Sequence, residues 1–142
     1  MTIHLVKLCV GIDAVEELAA WQDQYLKALR RQGRKPELMH VTRQTPKRAA
    51  ELLDGGSLYW VIKGHIAVRQ RILDLRAVTK NGTPHCGIVL AAELVATLHR
   101  FRNPFQGWRY LQPEDAPPDV RQVEGGNLPD ALKIELAQLG LL

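Results

Sequence analysis

Between Gly55 and Leu75 the chain passes through a glycine pair, a β-branched and aromatic run (Leu58-Tyr59-Trp60-Val61-Ile62-Lys63), a break at Gly64 and a second strand-like run carrying Arg69 and Arg71. The two-residue period of a strand puts Leu58, Trp60 and Ile62 on one face and Tyr59, Val61 and Lys63 on the other. Both faces are mostly apolar, which is the pattern of a central strand covered on both sides. Gly64 predicts a bulge or sharp bend before the next strand, the device that closes sheets into barrels. From Val68 to Val78 the apolar positions change register near Ile72, which predicts a further bulge or a strand leaving the barrel edge.

The flanking sequence supplies the remaining layers. Ile3 to Val10 is apolar except at His4 and Lys7, as expected of a strand covered on both faces. Asp13 and Glu16 have capping-box spacing, and Val15, Leu18, Tyr25 and Leu29 follow at helical intervals, so a helix is expected to about Arg31 with Gly33 as its left-handed cap. Trp21 is expected to pack on the sheet. Leu38 to Thr42 reads as a short strand, and Thr45-Pro46 as the start of a helix running to Leu53, ended by Gly55-Gly56. Asn81-Gly82 predicts a hairpin turn into a strand from Cys86 to Leu90. Leu94 to His99 alternates as another strand, with a helix as the alternative, Pro113 to Asp119 reads as an extended surface connection, and Asn127 with Pro129 opens a last helix carrying Leu132, Leu136 and Leu139. With 142 residues the chain fits a single domain spanning residues 1–142. The expected class is α+β: a small, strongly curved mixed β-barrel flanked by about three helices.

Cys9 and Cys86 stand alone and the five histidines are scattered, so neither a disulfide framework nor a metal site is expected, and no cofactor fingerprint is present. The N-terminus lacks the charge and apolar pattern of a signal peptide, and no apolar run is long enough to span a bilayer. A cytoplasmic protein without membrane contact is expected. No complete catalytic constellation emerges, so the residues leave open whether it is an enzyme. Asp74 and Asp115 are candidate general bases, with salt bridges to nearby arginines as the alternative role.

The net charge of +4 is carried mostly by arginine, which leans toward phosphate-bearing partners. Lys63, Arg69, Arg71 and Arg109 are the candidates for phosphate, Tyr59 and Trp108 for stacking on unpaired bases, and Gln70 and Gln106 for a base edge. Arg43 and Arg48, around the expected helix start at Thr45, are candidates for holding an anion. These residues point to binding of RNA, another single-stranded nucleic acid or a modified base. Two other readings stay open: a small-ligand or nucleotide-processing pocket in the same basic cleft, and a protein-interaction module using Phe105 to Tyr110. The aromatics also have an ordinary reading as core residues, with the arginines paired to Asp74, Glu93 and Asp115.

The runs His4-Leu5-Val6-Lys7-Leu8-Cys9-Val10-Gly11, His40-Val41-Thr42-Arg43, Glu51 to Lys63, Arg69 to Leu73 and Phe105 to Leu111 together resemble the uncharacterised bacterial family known as domain of unknown function 1489. That resemblance implies an alphaproteobacterial cytoplasmic protein and carries no established activity. A second resemblance, of Tyr59-Trp60-Val61-Ile62-Lys63 to the aromatic strand of EVE domains, implies a PUA-like barrel.

Overall fold

The computed structural model describes residues 1–120. In chain order these form β1 (His4–Leu8), α1 (Val15–Arg31), β2 (Leu38–Thr42), α2 (Ala49–Leu53), β3 (Ser57–Ile62), β4 (His65–Lys80), β5 (Thr83–Leu90), β6 (Val95–Phe101), β7 (Trp108–Leu111) and a 3-10 turn, Pro113–Asp115. The expected helix at Asn127 and Pro129 lies outside the described residues.

The class is α+β, a single mixed seven-stranded sheet with two α-helices among the described residues. The sheet is open and does not close into the expected barrel. Its order is β2-β5-β4-β3-β1-β7, and β6 joins separately on β4. β1 runs parallel to β3, and the other pairings are antiparallel. β4 organises the molecule, next to the β3 that the sequence marked as central. Its first stretch is flanked by β3 and β6, and its second pairs with β5. Closure fails because β2 and β7 each pair with one strand only. The curvature is nevertheless present as register shifts at Ile66/Val68 and Ile72/Asp74 in β4, where an extra residue bends the strand.

Of the two alternatives expected at Gly64, the structure has the sharp bend and not the bulge. Lys63 and Gly64 have φ of 49° and 79°, the two positive values of the tight hairpin turn that joins antiparallel strands. Gly64 therefore reverses the chain, and the bulges lie elsewhere. Asn81 and Gly82 form the same kind of turn, as expected, with φ of 52° and 77°. Gly56 is demanded by contact: a Cβ there would sit 2.4 Å from the carbonyl oxygens of Ile3 and Leu52.

α1 ends where predicted. Gly33, at φ 70°, donates to Arg30 O while Arg34 donates to Leu29 O, the paired bonds of a Schellman cap. It begins later than the capping-box spacing suggested, at Val15 behind Ala14, and the Glu17 carboxylate takes the Asp13 N–H instead. Its core-facing stripe is Val15, Leu18, Gln22, Leu26 and Leu29. Trp21 falls outside this stripe, 59% exposed, and stacks on Tyr25 rather than on the sheet. α2 is a single short turn, so Thr45-Pro46 does not open it.

The sheet has two covered faces. On one, α1 and α2 close a core of Leu5, Leu18, Leu52, Leu58, Trp60, Val68, Ile72 and Ile88. On the other, Val6, Tyr59, Val61, Ile66 and Leu111 form a smaller cluster under Phe105 and Ala116. The segment after β7 crosses this second face as a strap, tied by Leu98 N to Pro118 O and by a bridge between Thr97 and Asp119.

Candidate functional site

Gln22 is a polar residue on an apolar helical stripe, and burial obliges it to find partners. It exchanges two amide hydrogen bonds with Gln70, at 3.0 and 2.9 Å. Gln70 is fully buried; its Oε1 also accepts the Trp60 indole N–H at 2.9 Å, and its Nε2 also donates to Ala91 O at 2.9 Å. Every hydrogen-bonding position of the Gln70 amide is satisfied. The network locks the Trp60 ring in place between α1 and the sheet.

Beside that ring lies a cavity of about 450 Å³, within the range of small-molecule sites. Trp60, Trp21, Met39, Leu18 and Leu90 supply apolar walls. Lys7, Cys9 and His40 are its chemically active lining residues, and Lys7 is the one lining residue with a formal charge. The β1 register sets Lys7 directly opposite both Trp60 and Trp108, so it projects onto the α1 side of the sheet. His40 meets the Trp60 ring edge-on, with centroids 5.1 Å apart.

The electrostatics follow from burial. Burial, aided by Lys7 and Lys80, lowers the His40 pKa to about 4, so the imidazole is neutral at pH 7. Its Nε2 is buried and has no hydrogen-bond partner among the described residues. Burial also lowers the Lys7 pKa, with Cys9 acting in the opposite direction. The Cys9 thiol is raised to about 11 by burial despite Lys7, so it stays protonated and is not a thiolate nucleophile at neutral pH.

The residues expected to bind nucleic acid do not converge as one set: Lys63, Gln106 and Arg109 lie near the link between β6 and β7, and the others are dispersed. Gln70 and Trp108 lie on the α1 face, whereas Tyr59, Arg69, Arg71 and Arg109 lie on the strap face. Gln70 is consumed by the buried amide network, and Tyr59 is 5% exposed with His4 edge-on to its ring. Arg69 makes a two-pronged ion pair with Asp119, both contacts at 2.7 Å, and also donates to Ser57 Oγ. Its partner is thus Asp119 and none of the three acids expected. Trp108 and Tyr110 clamp the segment before α2: the indole donates to Gln44 O, and the Tyr110 hydroxyl accepts the Arg48 N–H. With Arg48 also paired to Glu51, the expected anion site around Arg48 is already filled. Arg43, Lys63, Arg71, Gln106 and Arg109 remain exposed. Asp74 is held by Arg76 and by the Leu75 N–H, in the role of a salt-bridge partner.

The sequence reading missed Lys7, His40, Cys9 and Gln22 as site residues. The available signals were Lys7 interrupting an otherwise apolar strand and Gln22 at a core spacing of α1. Among the described residues no group of three or more His, Cys, Asp or Glu could hold a metal, and no helix is long and apolar enough to cross a membrane.

Fold and cavity together define an open mixed-sheet α+β protein with a largely apolar pocket beneath its long helix. The chain belongs to the family of proteins of unknown function DUF1489, whose model matches residues 5–142. No curated protein and no solved structure matches it.

Proposed function

We propose that the protein binds a compact, largely apolar, planar molecule bearing one anionic head in the cavity beneath α1. The observation that carries this reading is an apolar cavity of ligand size in which Lys7 is the one charged lining residue, with the neutral His40 ring beside it. Lys7 supplies the complementary charge, and its low-dielectric setting strengthens that attraction. Trp60, held rigid by Gln70, supplies a flat wall. The reading is one of binding, with no chemical step assigned.

1-Anilinonaphthalene-8-sulfonate is a suitable probe, being aromatic with a single anionic group. Saturable one-to-one binding is expected, weakened roughly tenfold in Lys7→Met, as loss of one partly desolvated charge partner predicts. Lys7→Arg should retain most of it, and planar carboxylates such as indole-3-acetate should displace the probe. Absence of saturable binding, or binding indifferent to both Lys7→Met and His40→Phe, overturns the reading.

A further inference from the structure

Among the described residues the arginines divide into three held by carboxylates and a larger set that is not. Arg48, Arg69 and Arg76 each pair with a carboxylate. Arg102 and Arg109, on either side of the link from β6 to β7, make no ion pair among the described residues. Both instead set their guanidinium carbons over the Phe105 ring, 5.3 and 5.2 Å from its centroid. They line a shallow depression of about 430 Å³ together with Phe101, Asn103, Pro104 and Phe105, and none of these lining residues is acidic. Phe101 is 66% exposed, with His65 edge-on to its ring. The Arg102 N–H donates to Gly64 O at 2.8 Å, which brings the hairpin turn with exposed Lys63 alongside. Asn103 and Gln106 add exposed amides at the rim.

We propose that this depression is a binding surface for single-stranded nucleic acid. Arg102, Arg109 and Lys63 would contact successive phosphates, and the Phe101 ring would stack on an unpaired base. Charge complementarity selects a polyanion, since the depression is lined by two arginines and by no acidic residue among the described residues. The exposed ring selects among polyanions: a nucleobase presents a flat face to it, and an acidic peptide need not. The site lies apart from the cavity beneath α1 and shares no lining residue with it.

The test is fluorescence anisotropy of labelled short single-stranded RNA and DNA, at low and moderate salt, with the full chain. Wild-type binding should weaken as salt rises. Arg102→Ala/Arg109→Ala should weaken it at least tenfold and reduce the slope of log K against log salt by about 1.4, roughly 0.7 per lost phosphate contact on a single strand. Phe101→Ala should weaken it roughly tenfold with the slope unchanged, as loss of one stacked base predicts. Arg43→Ala, an exposed arginine elsewhere, and Lys7→Met, in the separate cavity, should both leave binding as in wild type; unfolding midpoints of all variants control for folding. The proposal is overturned if neither polymer binds at low salt, or if Arg43→Ala weakens binding as much as the paired variant. It is equally overturned if a polyglutamate peptide competes as well as unlabelled oligonucleotide, which would assign the surface to an acidic protein.

Discussion

His40 illustrates how a residue of ordinary chemistry acquires a role from its surroundings. On a strand it occupies the place of a half-buried β residue, yet against Trp60 and near Lys7 its proton affinity falls to a pKa of about 4 from 6.5. The fold therefore prefers the neutral imidazole, whereas the unfolded chain takes up a proton readily. Its contribution to stability is complete above about pH 6.5 and is lost as pH falls toward about 4. For a partly open ring this amounts to about 2 kcal/mol. His4, also lowered by burial and Arg69, adds a trend of the same sign. Urea unfolding across this window should thus show a shallower loss in His40→Gln than in wild type; identical pH profiles would refute the assignment.

At the scale of elements, α1 is joined to the sheet by amide hydrogen bonds as well as by apolar contact. Gln70→Leu would leave the Trp60 indole, the Gln22 amide and the Ala91 carbonyl without their partner, at a cost of about 2–4 kcal/mol. Adding Gln22→Leu removes one of those orphaned amides, so the double variant should be less destabilised than the sum of the single changes. Strict additivity in urea unfolding would show that the network does not act as a unit. Much of this level was legible in advance. The central position of β3, the register switch near Ile72, the Asn81-Gly82 turn and the glycine cap of α1 rest on local patterns. The start of α1 and the extent of α2 were misplaced because a cap depends on which carboxylate or hydroxyl reaches which amide, a matter of fractions of a turn.

The whole molecule is closed on its second face by the strap, and Arg69 with Asp119 is the fastening. Their side chains are 25% and 13% exposed, so removing one leaves the other largely buried and uncompensated. Asp119→Ala should cost about 2 kcal/mol and quicken proteolysis within 113–120, and Arg69→Ala/Asp119→Ala should cost less than the two single changes combined. Unchanged proteolysis would refute the role of the pair. This contact shows where sequence reading reaches its limit. Residue types and their periods determined the α+β class, the buried central strand, the hairpin at Asn81-Gly82 and the reserve of arginine, because each rests on interactions within a few residues of the chain. Which arginines stay without an acidic partner, that Gln22 meets Gln70, and that Lys7 and His40 line one cavity were decided by tertiary structure alone. Those pairings join residues 33 to 50 positions apart along the chain, and the partner of a buried charge or amide is set by sheet order and register, which no local pattern encodes.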